Sequence, residues 1–213
     1  MTRTEQTQTG CFITLEGSEG VGKSTNLAFI QQWLTEQGHR SVVTREPGGT
    51  PMAEEIRELL LAQREESVGE KTELLLMFAA RAQHLHQKIL PALAQGCCVV
   101  SDRFTDATYA YQGYARGLNL GWIEQLEQLV QEQLRPDLTF LLDMPTEIAQ
   151  QRVTKRGTTD RFEQEQTRFF ETVRQGYLTR AKQEPERFAV INAGQSINKV
   201  QQDIAGVLAR FFV

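Results

Sequence analysis

Short apolar runs recur along the chain, and longer segments with helical spacing separate them. Apolar runs of about four to eight residues bounded by polar residues or glycine predict β-strands. The intervening segments carry apolar residues three and four positions apart, which predicts amphipathic helices. The pattern therefore predicts alternating strands and helices. The predicted strands lie at residues 11–15, 41–44, 97–101, 138–143 and 188–191.

The first helical segment shows the spacing most clearly. Leu27, Ile30, Trp33 and Leu34 share one helix face, and Gly38 follows as the predicted C-cap. Stripes of the same period predict further helices, the last of them ended by a proline. These stripes lie at residues 56–61, 74–93 and 123–134.

The predicted strands are apolar along nearly their whole length rather than at alternate positions. Strands that are buried on both faces show this pattern, and it is typical of parallel sheets covered by helices. We therefore expect an α/β fold in which a five-stranded parallel sheet carries helices on both faces. We expect one domain over residues 1–213, with residues 1–10 as a polar N-terminal extension. Ligands of such sheets bind beyond the carboxyl ends of the strands, which is where chemistry is expected.

Composition and charge exclude several classes of protein. Hydrophobic residues make up 40% of the 213 residues and charged residues 23%, which is too apolar for a disordered chain. The 23 Lys and Arg against 27 Asp and Glu give a net charge of −4, so no overall positive field is available to hold a long nucleic acid. No apolar stretch approaches the roughly 20 residues of a membrane helix. We expect neither a long nucleic acid nor a membrane as a partner.

The cysteines and histidines do not form recognisable metal or disulfide motifs. Cys11, Cys97 and Cys98 fit neither a disulfide framework nor a Cys-x-x-Cys motif. Residues 1–10 lack the basic-then-apolar pattern of a signal peptide. We therefore expect reduced, buried cysteines in a cytoplasmic protein. The histidines show no metal-ligand spacing and are expected on the surface or on helices: His39, His84 and His86.

A glycine-rich loop follows the first predicted strand and precedes the first predicted helix. It satisfies the pattern Gly-x-x-x-x-Gly-Lys-[Ser/Thr] of a phosphate-binding loop. Its glycines let consecutive N–H groups turn inward around phosphate oxygens, and the start of the next helix adds attraction for anions. Lys23 is expected to reach the β- and γ-phosphates of ATP, and the Ser24 hydroxyl to ligate Mg²⁺. The predicted nucleotide-binding residues are Gly17, Ser18, Glu19, Gly20, Val21, Gly22, Lys23, Ser24 and Thr25.

Two other classes of P-loop protein need motifs that this sequence lacks. A GTPase reads guanine with Asn/Thr-Lys-x-Asp, and the nearest strings, which begin at Thr154 and Asn198, have no aspartate in that place. A motor or helicase ATPase carries an Asp-Glu pair at a strand end, whereas these strands end in Ser-Asp-Arg and Leu-Asp-Met. A small-molecule kinase needs instead an acceptor pocket, cations and a lid that excludes water.

Three further segments carry a resemblance to one family. Thr-Arg-Glu-Pro-Gly-Gly-Thr occupies residues 44–50, Leu-Met-Phe-Ala-Ala-Arg occupies 76–81, and Asp-Arg-Phe at 102–104 leads to Ala-Tyr-Gln-Gly at 110–113. With the glycine-rich loop, these segments closely resemble the thymidylate kinases from about Phe12 to the end of the chain. The resemblance implies a P-loop NTPase fold and a homodimer. It also implies transfer of the γ-phosphoryl group of ATP, with Mg²⁺, to dTMP, giving dTDP for dTTP synthesis without a covalent enzyme intermediate.

The resemblance assigns the acceptor phosphate and sugar to particular residues. Glu19 is similar to the acidic residue that meets the sugar 3′-hydroxyl group, with a solvated loop carboxylate as the structural alternative. Asp102 and Arg103 resemble the pair that organises the Mg²⁺ region and grips the acceptor phosphate, a role that suits a guanidinium fork. A salt bridge at the end of the strand is the structural alternative for this pair. Arg45 and Pro47 belong to the acceptor end, with a surface Arg–Glu pair as the alternative for Arg45.

The resemblance also assigns the base. The family stacks thymine on an aromatic ring and hydrogen-bonds it from an arginine on the same helix, for which Phe78 and Arg81 are the candidates. Their separation is three residues, whereas four is frequent among related sequences, so Met77 is the alternative to Phe78. Packing in the core is the structural alternative for Phe78. A further stretch resembles the one that lines the nucleoside, and it supplies Thr108, Tyr111 and Gln112. Simple packing is the alternative for Tyr111.

A basic segment after the fourth strand resembles the lid of the family, which we expect over residues 156–165. In one branch of the family an arginine of the P-loop reaches the transferring group, but here residues 19–21 contain none. We therefore expect Arg156 or Arg161 to cover the γ-phosphoryl group in the transition state, as in the bacterial-type branch. A solvated basic helix end is the structural alternative for either residue.

Two rival functions fit the same motifs. A kinase for another nucleotide or nucleoside would share the phosphate cradle and differ in its acceptor pocket. A regulatory protein without turnover would keep the cradle alone. Acceptor assays and substitutions of Lys23 and Arg103 distinguish these functions.

Overall fold

A parallel β-sheet forms the centre of the molecule. The computed structural model describes residues 10–156, 162 and 165–213, except for the side chains of residues 155 and 156. Within these residues five strands lie in one sheet, in which every neighbouring pair is parallel. The strands are β1 (Phe12–Glu16), β2 (Ser41–Arg45), β3 (Cys98–Asp102), β4 (Leu138–Asp143) and β5 (Phe188–Asn192).

The strand order is β2-β3-β1-β4-β5, so β1 is central. Each predicted strand lies within one residue of an observed strand, because near-continuous apolar runs mark strands that are buried on both faces. The predicted α/β class and parallel sheet are confirmed.

Helices follow the strands and cover both faces of the sheet. The predicted helix at 74–93 is interrupted by a π-helical turn at Leu85–Ile89, next to Pro91, which has no N–H to continue an α-helical ladder. A second π-helical segment spans Tyr109–Ala115. The α-helices are α1 (Lys23–Glu36), α2 (Pro51–Leu61), α3 (Glu70–His84), α4 (Leu90–Ala94), α5 (Thr105–Thr108), α6 (Leu120–Gln131), α7 (Thr146–Arg156), α8 (Thr167–Gln183) and α9 (Ile197–Phe211).

Alternate residues of the central strand enter different parts of the core. Ile13 of β1 packs with Ile30 of α1 and Ile204 of α9, all fully buried. Phe12 packs instead with Val99 of β3 and Ile89 of the π-helical turn. Burial of this apolar surface on both faces supplies the main stabilisation of the sheet.

The carboxyl ends of the central strands meet at one edge of the sheet. Leu15 of β1 and Arg45 of β2 both pair in register with Asp102, the last residue of β3. The loop after β1 and the segment after β3 therefore leave the sheet side by side. This juxtaposition positions the candidate site.

The cysteines and one histidine are buried in the core of the molecule. The cysteines Cys11, Cys97 and Cys98 are free and buried. None of the helices in the described part of the chain combines the length and the apolar character needed to cross a bilayer. His84, expected on the surface or on a helix, is the last residue of α3 and is fully buried.

Candidate active site

The loop between β1 and α1 forms the phosphate cradle. Gly17, Gly20 and Gly22 have φ values of 135°, 79° and 92°, in the region that favours glycine. A Cβ atom on Gly20 would lie 2.2 Å from the carbonyl oxygen of Ala149 in α7. The loop therefore needs glycine both for its backbone conformation and for its close contact with α7.

Lys23 is the buried cation of this cradle. Its ammonium group donates hydrogen bonds to the carbonyl oxygens of Gly17, at 3.0 Å, and Ser18, at 2.8 Å. Burial, reinforced by the positive charge of Arg103, lowers the pKa of Lys23 to about 8. The side chains of Ser24 and Thr25 lie exposed on the first turn of α1. The predicted cradle residues are thus held on one continuous loop and helix start.

Arg103 leaves the end of β3 in an unusual backbone conformation. Its φ of 67° lies in the left-handed region, which is uncommon for a residue with a side chain. Its N–H donates to the carbonyl oxygen of Leu15 at 3.0 Å, and its own carbonyl oxygen accepts from the Ser101 hydroxyl at 2.7 Å. The next N–H, of Phe104, donates to Oε1 of Glu16 at 2.7 Å. These bonds hold Arg103 in place against the strain.

Glu19, Arg103 and Tyr111 form a polar cluster between the cradle and the segment after β3. Oε1 of Glu19 accepts from Arg103 Nη2 at 2.6 Å, and its Oε2 accepts from the Tyr111 hydroxyl at 2.6 Å. Burial by itself raises the pKa of Glu19, but the charges of Arg103 and Lys23 outweigh it and hold the pKa below its usual value. The cluster therefore keeps a charged carboxylate beside two cations.

A cavity beside this cluster is the candidate acceptor site. It encloses about 600 Å³, its open mouth included, which is within the range of small-molecule sites. Apolar and polar side chains from α2, α3 and the segment after β3 line it. The lining comprises Glu19, Glu46, Pro47, Arg57, Leu61, Met77, Arg81, Arg103, Phe104, Ala107, Thr108, Tyr111, Gln112 and Phe162.

Arg81 is held on the wall of the cavity by a buried ion pair. Its Nε donates to Oε2 of Glu46 at 2.7 Å, and its Nη2 donates to the Thr108 hydroxyl at 3.0 Å. Its remaining nitrogen, Nη1, is buried without a hydrogen-bond partner in the described residues. A buried donor without a partner is energetically unfavourable, so this nitrogen is suited to an acceptor oxygen of a ligand.

Met77, rather than Phe78, lines the cavity. Phe78 is 2% exposed and packs with Leu74, Tyr109 and Ile123 on the side of α3 that faces α6. The guanidinium carbon of Arg81 lies 4.7 Å from the centre of the Phe78 ring. The expectation that Phe78 meets the base is therefore corrected: its ring supports Arg81 from within the core. Met77 lies four residues before Arg81 and shares the face of α3 that borders the cavity.

Arg45 also departs from the expectation. Its side chain is exposed and forms an ion pair with Glu54 at 2.8 Å. It does not belong to the lining of the acceptor cavity, whereas Pro47, two residues further on, does. The surface pair that sequence reasoning kept as an alternative is the arrangement observed, with Glu54 of α2 as the partner.

Several site residues escaped the sequence analysis. Glu46 lies inside a motif that had been singled out, but no local signal showed that it binds Arg81. Arg57 reaches the cavity from α2 and donates to the carbonyl oxygen of Pro47 at 2.9 Å. Glu16 is fully buried, and burial raises its pKa to about 8. A polar residue at the end of an otherwise apolar strand was the available signal for Glu16.

A further cavity, which Ser24 of the cradle borders, is the candidate metal region. Ser24, Asp102, Thr44 and Arg45 are among its lining residues. Oδ1 of Asp102 is buried without a hydrogen-bond partner in the described part of the chain. Hydroxyl and carboxylate oxygens are ligands that Mg²⁺ prefers. No cluster of three or more His, Cys, Asp or Glu side chains that could hold a metal ion occurs among the described residues.

The predicted lid is only partly described. Residues 157–161, 163 and 164 and the side chain of Arg156 lie outside the described residues. The roles expected for Arg156 and Arg161 therefore remain predictions. Phe162, within the same segment, borders the acceptor cavity and makes an edge-on contact with the Tyr111 ring, 6.2 Å between centres.

The fold and the site define a P-loop nucleotide-binding kinase, since the glycine-rich cradle adjoins the cavity that Glu19 and Arg103 line. The family model "Thymidylate kinase" matches residues 15–204. The chain belongs to the thymidylate kinase family, as its motifs predicted.

Individual relatives agree with this assignment over nearly the whole chain. The chain is 60% identical over 200 residues to a thymidylate kinase of Ectopseudomonas mendocina (strain ymp), covering 94% of this chain and 95% of the relative. It is 62% identical over 201 residues to one from Chromohalobacter salexigens, covering 93% and 95%. The crystal structure of thymidylate kinase from Ehrlichia chaffeensis superposes with a TM-score of 0.77 at 34% identity, covering 94% of this chain and 98% of the other.

Proposed function

We propose that this chain transfers the γ-phosphoryl group of ATP to dTMP, giving ADP and dTDP. The observation that carries the proposal is the meeting of two anion-binding elements in one cluster. Lys23 stands in the cradle, Arg103 stands on the acceptor cavity, and Glu19 lies between them. Two phosphorylated ligands bound in this way meet end to end, which is the arrangement that direct phosphoryl transfer requires.

The fold holds in place the positively polarised or charged groups that bind the phosphates of the donor and of the acceptor. Backbone N–H groups of residues 17–25 and the ammonium of Lys23 bind the phosphates of ATP. Arg103 presents its guanidinium to the phosphate of dTMP, and Glu19 accepts the 3′-hydroxyl of the sugar. Catalysis consists of positioning and charge stabilisation, because phosphoryl transfer requires little covalent chemistry from the protein.

The acceptor base lies against α3. Met77 supplies an apolar, polarisable surface for one face of the ring. The free Nη1 of Arg81 donates to a carbonyl oxygen of the base, a group that every uracil or thymine ring carries. Thr108 and Gln112 complete the wall, where the amide of Gln112 is itself fixed by donation to Oε1 of Glu73 at 2.8 Å.

Mg²⁺ fits the region between Ser24 and Asp102. Asp102, whose Oδ1 has no hydrogen-bond partner among the described residues, and Ser24, whose side chain is exposed, both line this cavity and both carry oxygen ligands. Two side-chain ligands are what Mg²⁺ commonly takes from a protein, with phosphate oxygens and water supplying the others. Bound there, the ion would neutralise charge on the phosphates of ATP.

The chain forms one kinase domain over residues 1–213, and two copies of it form a homodimer. Apolar side chains that lie exposed on α3 and α6 support this pairing: Leu75, Trp122 and Leu129. It acts in the cytoplasm, consistent with its free cysteines. Sedimentation velocity tests the dimer: a monomer at micromolar concentration would contradict it.

An acceptor panel tests the function. dTMP, dUMP, UMP, CMP, AMP, GMP and thymidine are each supplied with ATP and Mg²⁺, and ADP formation is measured. We expect a clear preference for dTMP. Preference for a purine monophosphate would refute the assignment, and no turnover with any acceptor would favour a regulatory nucleotide-binding protein.

Substitutions test the roles of the cations. Lys23→Ala and Arg103→Ala are expected to reduce dTMP phosphorylation by at least about a hundredfold, because each removes a charge that stabilises the transition state. Arg135→Ala is the matched control, since Arg135 is 39% exposed and pairs with Glu127 outside the site.

Arg156→Ala and Arg161→Ala are compared in single-turnover experiments. If neither slows the chemical step, a lid arginine does not act on the γ-phosphoryl group.

A further inference from the structure

His84 is buried at the end of α3 with both ring nitrogens engaged. Its Nε2 lies 2.6 Å from the Thr44 hydroxyl oxygen, and its Nδ1 lies 3.0 Å from Oε1 of Glu46. A carboxylate can only accept a hydrogen bond, so Nδ1 carries the proton and donates to Glu46. Nε2 lies within hydrogen-bonding distance of the Thr44 hydroxyl. The carboxylate of Glu46 thus places a proton on Nδ1.

Glu46 links His84 to the wall of the acceptor cavity. Glu46 accepts from His84 with Oε1 and from Arg81 Nε with Oε2, at 2.7 Å. A carboxylate held on both oxygens by rigid, buried partners has one orientation, and the planar guanidinium that pairs with it is fixed in turn. Arg81 is thereby held with Nη2 on Thr108 and with Nη1 unpaired by the described residues.

We propose that His84 is a positioning residue for recognition of the acceptor base, acting through Glu46 to hold the Arg81 guanidinium in the orientation that leaves Nη1 available to a base carbonyl oxygen. The proposal rests on the proposed function, because it takes the acceptor to be a pyrimidine nucleotide. His84 itself does not line the acceptor cavity.

The same arrangement gives a physical reason for the motif Thr-Arg-Glu-Pro-Gly-Gly-Thr. Thr44 and Glu46 bind the two nitrogens of His84. A Cβ atom on Gly49 would lie 2.5 Å from Nε2 of His84 and 2.6 Å from the Thr44 hydroxyl oxygen, so glycine is needed where the loop closes over this bond. The loop after β2 and the end of α3 are therefore fitted to one another around His84.

Two substitutions separate the two nitrogens of His84. The side-chain amide of asparagine overlies Nδ1 of histidine, whereas that of glutamine reaches the place of Nε2. His84→Asn therefore keeps a donor to Glu46, and His84→Gln keeps a polar group at Thr44 but removes that donor. Both variants lose the buried ring, and asparagine, the smaller residue, leaves the larger cavity. General destabilisation would therefore affect His84→Asn at least as much as His84→Gln, which is the opposite of the order that the proposal predicts, so each variant is the matched control of the other.

The kinetic readout is the KM for dTMP compared with kcat and the KM for ATP. His84→Gln is expected to raise the KM for dTMP about tenfold, which corresponds to about 1.4 kcal/mol, with kcat and the KM for ATP within about twofold. His84→Asn is expected to stay within about threefold of the wild type in all three constants. Equal increases in both variants, or a loss confined to kcat, would overturn the proposal.

A measurement on the unaltered protein keeps the proposal testable if the variants fold poorly. The chain has three histidines, so ¹⁵N-histidine labelling gives resolvable ring signals. We expect His84 to be protonated at Nδ1, and the Nδ1 proton signal to move on addition of dTMP but not of ADP. A proton on Nε2 alone would refute the relay. If the acceptor panel selects another nucleotide, the proposed function fails, yet the tautomer and the Asn–Gln contrast can still be measured with that acceptor.

Discussion

Replacing Lys23 by methionine should abolish phosphoryl transfer and stabilise the fold near neutral pH. Lys23 is only 8% exposed, and burial, reinforced by Arg103, lowers its pKa from 10.5 to about 8. The folded protein therefore holds this charge at a cost that the unfolded chain does not bear. Methionine keeps an unbranched apolar stem in the same space without the charge.

The magnitude follows from the difference between the two pKa values. A change from 10.5 to about 8 corresponds to about 3 kcal/mol of unfavourable free energy for the charged side chain in the folded protein. Losing the hydrogen bonds to Gly17 and Ser18 offsets about 2 kcal/mol of the gain. The net expectation at pH 7 is a stabilisation of about 1 kcal/mol, which in a chain of this length raises the melting temperature by about 2–4 °C.

The pH dependence gives the sharper test. Between about pH 8 and pH 10.5 the folded protein releases the Lys23 proton while the unfolded chain retains it. The unfolded state then binds more protons, so the free energy of unfolding of the wild type rises with pH in this window. By pH 10 the free energy of unfolding of the wild type should have risen by about 2–3 kcal/mol relative to that of Lys23→Met. The greater stability of Lys23→Met is therefore complete only below about pH 8.

Equilibrium unfolding in urea at pH 7 and pH 10 measures this difference. Lys199→Met is the control, because Lys199 is 53% exposed and pairs with Asp203 on the surface. Its free energy of unfolding should follow that of the wild type at both pH values. Parallel stability curves for Lys23→Met and the wild type across this range would refute the reasoning.

Two further predictions concern the acceptor wall and the cradle. Met77→Ala should raise the KM for dTMP several-fold with little change in stability. Phe78→Leu should instead lower the free energy of unfolding by about 1–3 kcal/mol and change the KM for dTMP less. Steady-state kinetics and urea unfolding of both variants check this contrast. Gly20→Ala should raise the KM for ATP at least about tenfold, because its Cβ would lie 2.2 Å from the carbonyl oxygen of Ala149 and the cradle must move. A KM for ATP equal to that of the wild type would show that the cradle tolerates this contact.

The parts of the molecule that depend on neighbouring residues in the sequence could be predicted. The strands were found to within one residue because their apolar runs are continuous, and the cradle because strand, glycines, lysine and helix follow one another directly. Gly38 was predicted as a C-cap, and its φ of 80° confirms the conformation expected there.

The parts that depend on distant partners could not be predicted. Glu46 and Arg81 are 35 residues apart, and Glu46 and His84 are 38 apart, so no local pattern joins them. Helix α3 is apolar on two sides, one packed on α2 and the other on α6. Its hydrophobic pattern therefore could not show that Met77 borders the cavity while Phe78 enters the core.

The ion pair between Glu19 and Arg103 determines how the acceptor site admits an anion. Because the Glu19 carboxylate already lies 2.6 Å from Nη2 of Arg103, an incoming anion meets a paired guanidinium rather than a bare cation and competes with that carboxylate for it. A singly charged, spherical ion such as chloride gains little in that competition. A phosphate monoester brings two charges and a pair of oxygens that match the guanidinium fork, so the pair acts as a filter that selects by valence and shape before any base contact is made.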